Sequence, residues 1–160
     1  MKILQVAKYP PSHRGGIEKL TSQLTSDLNI KGNRIDILCF EENTKTKIDV
    51  FLSHTVYKCR SLFKIFSTSI SFHNIYFFNK LQKSYDFIYL HLPNPMVAAY
   101  ILFTKDKDRK IFVHHHADIS NKKLYFLYRI LEDNIFKISL KIITTSKSLA
   151  NTEALVKYKN

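Results

Sequence analysis

Two adjacent glycines stand between an apolar run and a helical pattern near the start of the chain. Ile3 to Ala7 predicts a short buried β-strand, and Ile17 to Ile30 predicts the helix. Because glycine has no Cβ, the backbone at Gly15 and Gly16 can approach a bound group closely. The helix that follows offers free N–H groups and the positive end of its dipole, which can hold an anion such as a phosphate. The alternative is a tight strand-to-helix turn that needs glycine only for steric reasons.

Three consecutive histidines, His114 to His116, form a second group that can do chemistry. Side chains alternate along an extended chain, so His114, His116 and Asp118 are a candidate metal site. The pattern departs from the His-x-His-x-Asp-His arrangement of metallo-hydrolases, since Ile119 stands where the last histidine belongs. Histidines held by hydrogen bonds at a strand end are one alternative. A histidine that contacts a ligand is the favoured one, and no metal is expected.

Strand-like runs alternate with helical patterns along the chain. Strands are predicted over Lys2–Ala7, Arg34–Phe40, Thr55–Cys59, Asp86–His91, Lys110–His114 and Lys141–Thr145. Helices are predicted over Ile17–Lys31, Leu62–Lys83, Pro95–Thr104, Asn121–Ser139 and from Lys147 onward. This repeated βα period predicts an α/β fold, a Rossmann-like parallel sheet with helices on both faces.

Three loops are expected to meet at one edge of this sheet. Ligands of such sheets bind beyond the carboxyl ends of the strands, where the strand order reverses between the first and fourth predicted strands. The rule brings together Lys8 to Gly16, His91 to Pro95 and His114 to Asp118. The sequence has no Gly-x-Gly-x-x-Gly fingerprint and no Walker loop, which disfavours a dinucleotide cofactor.

Composition and charge limit the class of protein. A length of 160 residues with 45% hydrophobic content predicts one domain, and a net charge of +12 attracts polyanions. Nucleic acid is disfavoured because no Arg-rich recognition helix or finger spacing is present. No signal peptide or spanning segment is predicted, so the expected location is cytoplasmic, with a possible peripheral site on an anionic membrane. The aromatic, basic-flanked segment Leu62 to Lys83 can lie at such a membrane, although core packing is favoured.

Four motifs, taken in order, resemble the N-terminal domain of a family 4 (group 1) retaining glycosyltransferase of the GT-B fold. They cover nearly the whole chain and are Lys8-Tyr9-Pro10-Pro11 with Gly15-Gly16-Ile17-Glu18, His91-Leu92-Pro93-Asn94-Pro95, His116-Ala117-Asp118-Ile119 and Ile143-Thr144-Thr145-Ser146.

The resemblance implies an enzyme of two Rossmann-like domains that uses a nucleotide-sugar (NDP-sugar) donor, without a metal or other cofactor. It implies that Gly15 and Gly16 approach the donor phosphates and that His116 is the catalytic residue at the transferred sugar. It places the remaining motif residues along the acceptor side and the cleft: Lys8, Tyr9, His13, Arg14, Glu18, His91, Asn94 and Asp118.

The family resemblance also implies an activity, and it implies that residues 1–160 correspond to only part of such an enzyme. The implied activity is sugar transfer with retention to a glycan or lipid-linked acceptor, in cell-envelope polysaccharide, lipopolysaccharide or glycolipid synthesis. Residues 1–160 correspond to the acceptor-side domain and lack the C-terminal donor-binding domain, so the 160 residues alone are expected to be inactive. The alternatives are a non-catalytic phosphate- or membrane-binding Rossmann-like module, a subunit of a two-chain transferase, or a metallo-hydrolase.

Overall fold

The computed structural model describes residues 1–42, 45–65, 67–104, 109–117 and 122–158. The strands are β1 Lys2–Val6, β2 Arg34–Glu41, β3 Lys47–Val50, β4 Thr55–Arg60, β5 Phe63–Ile65, β6 Thr68–Ile70, β7 Phe87–Leu92, β8 Ile111–His115 and β9 Lys141–Thr144. The helices are α1 Gly16–Ile30, α2 Phe72–Leu81, α3 Pro95–Phe103, α4 Lys122–Ile138, α5 Lys147–Ala150 and α6 Glu153–Val156, with one 3-10 turn at Gln82–Ser84.

Seven of these strands form one sheet in the order β3-β4-β2-β1-β7-β8-β9. All neighbours in it are parallel except β3, which pairs antiparallel with β4 at the edge. β1 lies between β2 and β7, so the strand order reverses there. The predicted meeting point of the first and fourth strands is confirmed.

Helices cover both faces of the sheet, as predicted. Leu4 and Val6 of β1 belong to the main core, together with Phe78 of α2 and Val97 of α3. Side chains alternate along a strand, so Gln5 points to the opposite face, where its amide reaches α1. The central strands are buried on both faces and therefore consist largely of apolar residues.

The segment Leu62 to Lys83 was predicted as one helix, and this prediction is wrong. Its first part forms an antiparallel hairpin of β5 and β6, and helix α2 begins only at Phe72. The cause is the polar and β-branched stretch from Ser67 to Ser71, which disfavours a helix interior. The Ser71 hydroxyl accepts a hydrogen bond from the Asn74 N–H at 3.1 Å and so caps α2.

Two further predictions concern the chain as a whole. Both cysteines, Cys39 and Cys59, are free and buried, as their apolar surroundings predicted. Within the described residues, no helix combines the length and the apolar character needed to cross a bilayer.

Candidate active site at the carboxyl edge of the sheet

Two of the three predicted loops meet through neighbouring strands. His91 of β7 lies directly opposite His114 of β8 in the parallel register. The His116 N–H donates to the Leu92 carbonyl at 3.0 Å, which fixes the chain beyond β8 against the end of β7. The side chains of His91, His114 and His116 therefore lie on the same face as Gln5, the face covered by α1.

A chain of hydrogen bonds joins Gln5 to His116 through His91. The Thr25 hydroxyl donates to the Thr21 carbonyl at 2.8 Å, so it must accept from Gln5 Nε2, also at 2.8 Å. This fixes the amide orientation, and Gln5 Oε1 accepts from His91 Nε2–H at 2.7 Å. Neutral His91 then has a lone pair on Nδ1, which accepts from His116 Nε2–H at 2.8 Å. The remaining acceptor of His116 is its Nδ1 atom.

Burial keeps these histidines neutral near pH 7. Burial, with the neighbouring His114 and His115, lowers the pKa of His116 to about 4. Burial, with His116 and His114, lowers the pKa of His91 well below its usual range. The pKa of His114 is also lowered, mainly by burial, and its Nδ1 lies 3.0 Å from the Tyr89 hydroxyl. The cluster therefore offers neutral donors and acceptors and adds no positive charge.

The same three histidines have the composition of a metal site, with one nitrogen from each lying within 4.8 Å of the others. The rings of His114 and His116 are stacked, with centroids 4.1 Å apart, and His91 and His116 share a hydrogen bond. Imidazole lone pairs lie in the ring plane, so stacked rings do not direct them at one ion. This arrangement fits a metal poorly. Asp118, the third ligand in the predicted metal site, lies outside the described residues.

Gly15 and Gly16 stand at the start of α1, as predicted, but the space available for a side chain differs between the two positions. Gly15 is extended, with φ 177°, and a Cβ there would lie 1.9 Å from Glu18 Oε2. A Cβ at Gly16 would meet nothing within 4 Å. Glu18 is buried in the first helical turn, where a carboxylate is stabilised by the helix dipole. An incoming phosphate would share this helix end with Glu18.

The predicted acceptor loop carries stacked aromatic and basic groups. The rings of Tyr9 and His13 stack with centroids 4.6 Å apart, and Lys8 Nζ lies 5.2 Å from the Tyr9 ring centroid. Lys64 of the β5–β6 hairpin also approaches this ring, at 5.4 Å, and forms an ion pair with Glu42. The hairpin thus lies beside the loop, a contact that the sequence did not indicate because its pattern predicts a helix over these residues.

Arg14 lines an open depression beside the N-terminus of α1. His13, Gly15 and Lys19 lie along the same depression. The predicted acceptor residue Arg14 is therefore exposed beside the predicted phosphate site, where its guanidinium can reach a bound anion.

Asn94 occupies a structural position beside the cluster. It is buried, and its Oδ1 atom accepts from the Val97 N–H at 3.5 Å at the start of α3. Its own backbone N–H donates to the Tyr128 hydroxyl at 3.3 Å. Asn94 thus holds the loop after β7 in place between α3 and α4.

A buried pair on the other face of β8 was not anticipated from the sequence. His115 Nδ1 lies 3.3 Å from Glu132 Oε1 of α4, and both side chains are almost fully inaccessible. The ring of His115 also packs edge-on against Phe136. The only sequence signal was a glutamate within the apolar pattern of α4. The pair fixes the strand that carries His114 and His116 to the helix behind it.

Comparison with known proteins agrees with this geometry. Over its full length the chain is 28% identical to the O-antigen chain mannosyltransferase C of Escherichia coli, of which it covers 44%. Its fold is similar to that of sucrose-phosphate synthase from Thermosynechococcus elongatus, with a TM-score of 0.71 and 12% identity over 98% of this chain and 44% of that one. The chain thus spans less than half the length of either protein. Residues 14–153 match the model of Glycosyltransferase Family 4, and the chain belongs to that family.

Proposed function

We propose that this domain is the acceptor-side half of a retaining glycosyltransferase that moves a sugar from an NDP-sugar to a glycan or lipid-linked acceptor. Family membership supports glycosyl transfer in general. The observation that carries the finer proposal is the Gln5–His91–His116 hydrogen-bond chain at the carboxyl edge of the sheet. It holds one neutral imidazole in a fixed tautomer at the place where ligands of such sheets bind.

His116 is proposed to contact the transferred sugar. Its Nε2–H is used by His91, so Nδ1 is left to accept a hydrogen bond from a sugar hydroxyl. Because the imidazole is neutral, it orients the sugar without adding charge at the reacting carbon. Lowering the barrier by orientation requires a rigid side chain, which the hydrogen-bond chain and the His114 stack supply.

The leaving diphosphate is proposed to meet the N-terminus of α1. The N–H groups near Gly15 and Gly16 and the Arg14 guanidinium can stabilise the charge that develops as the glycosidic bond to phosphate breaks. The leaving phosphate oxygen takes the proton of the attacking acceptor hydroxyl on the same face of the sugar, which gives retention. No metal is required in this scheme, and a second Rossmann-like domain supplies the other donor contacts.

The proposed process is the assembly of a cell-envelope polysaccharide, lipopolysaccharide or glycolipid, on the cytoplasmic side of an anionic membrane. The Escherichia coli relative is named as an O-antigen chain mannosyltransferase, so a mannosyl donor is the first to test. The alternative is a non-catalytic phosphate- or membrane-binding module, or one subunit of a two-chain transferase. The net charge of +12 suits either function, so only a measurement of transfer separates them.

A donor screen with the full-length protein tests the proposal. Each nucleoside diphosphate sugar of a panel that includes a mannosyl donor is incubated with the protein and an acceptor extract. Nucleotide release and sugar incorporation are measured together. Sugar incorporation from one donor, unchanged by a chelator, is the expected result. Binding of nucleoside diphosphates without sugar incorporation from any donor would support the non-catalytic alternative.

A further inference from the structure

The stretch between Asp49 and Asp86 is strongly biased in charge. It contains no aspartate or glutamate, whereas it carries five lysines and arginines: Lys58, Arg60, Lys64, Lys80 and Lys83. The whole chain has 13 acidic residues, so their absence from 36 consecutive positions concentrates positive charge on one part of the molecule. This part includes the β5–β6 hairpin and helix α2.

The same part of the molecule exposes large apolar side chains. Five of them are between 43% and 69% accessible to solvent: Leu62, Phe63, Ile65, Phe72 and Tyr76. Their positions are linked by the backbone, because the Leu62 N–H donates to the Ile70 carbonyl at 2.8 Å, two residues before Phe72. On α2, Phe72, Tyr76 and Lys80 follow one another at intervals of four and share a helix face. We call these five residues with Lys80 and Lys83 the hairpin–helix surface.

This surface lies next to the proposed acceptor loop. Lys64, between Phe63 and Ile65 in β5, forms an ion pair with Glu42 and approaches the Tyr9 ring. Because strand neighbours point to opposite sides, Phe63 and Ile65 face away from that contact. A layer that received these two side chains would therefore lie on the far side of the hairpin from that contact, with the hairpin between it and the loop assigned to the acceptor.

We propose that the hairpin–helix surface docks this protein on an anionic lipid bilayer, with the aromatic and aliphatic side chains in the interface and the lysines among the headgroups. Aromatic and aliphatic side chains flanked by lysines are typical of a protein face that lies in a membrane interface. Protein–protein contacts, by contrast, are depleted of lysine at their centres. This inference deepens the proposed function, since it brings the acceptor loop close to a lipid surface.

Vesicle sedimentation with the full-length protein tests the docking. Vesicles of phosphatidylcholine alone are compared with vesicles containing about one third phosphatidylglycerol, at low and high salt. Binding to the anionic vesicles that weakens with salt is expected, because each lysine near the surface contributes about 1 kcal/mol, or about fivefold in partitioning. Equal binding to both vesicle types would overturn the proposal.

Matched pairs of variants locate the surface. Phe63→Ser with Phe72→Ser is expected to reduce vesicle binding at least tenfold. Phe103→Ser with Phe126→Ser changes two phenylalanines that are more exposed but lie on other helices, and it is expected to leave binding unchanged. Circular dichroism confirms that both pairs fold. Equal loss of vesicle binding in the two pairs would overturn the proposal. If Phe63→Ser with Phe72→Ser kept vesicle binding but lost self-association of the protein, the surface would be a contact between two copies of the chain.

A charge-matched set completes the test. Lys80→Glu with Lys83→Glu is expected to abolish vesicle binding. Lys31→Glu with Lys141→Glu makes the same change in net charge away from that surface, at the end of α1 on the other face of the sheet and on the far edge strand β9, and it is expected to reduce binding far less. Equal reduction would show that net charge alone attracts the protein. Vesicle binding needs no sugar donor, so it can succeed while the proposed transfer fails, and transfer to a soluble acceptor can survive the loss of vesicle binding.

Discussion

Gln5 Oε1 accepts a hydrogen bond from His91 Nε2 at 2.7 Å, although 86 positions separate the two residues. Gln5 is 1% exposed and His91 is 2% exposed, so no water competes for this bond. The bond selects the tautomer of His91 and, through it, the nitrogen of His116 that carries the proton. The Gln5 side chain on β1 thus fixes the tautomer of His116, the proposed sugar contact, which lies just beyond β8.

Replacing Gln5 by leucine removes this control. Gln5→Leu leaves His91 Nε2–H buried without its acceptor, which is expected to lower the free energy of unfolding by about 1–3 kcal/mol. It also allows the other tautomer of His91, so the ¹⁵N chemical shifts of the His116 ring nitrogens are expected to change.

Tyr89→Phe is the matched control for Gln5→Leu, because it removes only the partner of His114 Nδ1. It is expected to leave the ¹⁵N shifts of His116 near their wild-type values. Unchanged His116 shifts in Gln5→Leu would show that the hydrogen-bond chain does not fix the tautomer.

Acidification is expected to destabilise the fold between about pH 6.5 and pH 4. The folded-state pKa of His116 is about 4, below the value near 6.5 expected in the unfolded chain. In this window the unfolded chain binds a proton that the folded chain does not, so stability falls as the pH falls. His91 acts in the same direction because its pKa is also lowered. Urea unfolding midpoints at pH 7 and pH 5 measure the effect. A variant with His91→Asn should show a smaller difference than wild type, and an equal difference would show that His91 does not contribute to the loss.

Substitution of Gly16 separates phosphate binding from a purely steric turn. A Cβ at Gly16 meets no atom within 4 Å, so Gly16→Ala is expected to keep the stability or raise it by about 0.4–1 kcal/mol. If the donor phosphate approaches this backbone, the same methyl group is expected to raise the KM for the donor several-fold. Thermal unfolding and donor kinetics of full-length Gly16→Ala check both effects. An unchanged KM would favour the steric turn.

The buried His115–Glu132 pair is expected to matter more for stability than the exposed lysine of the neighbouring Asp133–Lys137 pair. Removing Glu132 leaves a buried imidazole without the carboxylate 3.3 Å away, so Glu132→Ala is expected to cost about 3 kcal/mol. Lys137→Ala removes an exposed lysine, one of the partners of Asp133 on the surface of α4, which is expected to cost about 1 kcal/mol or less. Urea denaturation of the two variants gives the comparison, and equal costs would contradict it.

The sequence predicted those parts of the fold that depend on local pattern. The parallel βα order and the meeting of His91 with His116 followed from apolar runs and from the strand-order rule, and the structure bears them out. The helix predicted over Leu62–Lys83 was wrong because the prediction relied on the spacing of the aromatic residues. The polar, β-branched stretch within this segment favours the hairpin that the structure contains. The edge strand β3 was missed because its four residues are mostly exposed and lack a buried run.

The role of Gln5 could not be predicted, since it depends on a contact 86 residues away. The only local signal was a single polar residue inside the apolar run of β1. The Glu132 side chain gave the same kind of signal in α4. A buried polar residue in an apolar pattern marks a partner elsewhere, but the pattern does not name the partner.

The proposed role of His116 is tested directly by comparing the reaction of full-length His116→Ala with that of wild type and of Tyr89→Phe. Sugar transfer is measured with the donor identified in the screen, and the anomeric configuration of the first product is read by NMR. A product with the donor's configuration is expected, with a loss in kcat of about 100-fold in His116→Ala and a near-normal rate in Tyr89→Phe. A wild-type rate in His116→Ala, or an inverted product, would contradict the proposed function.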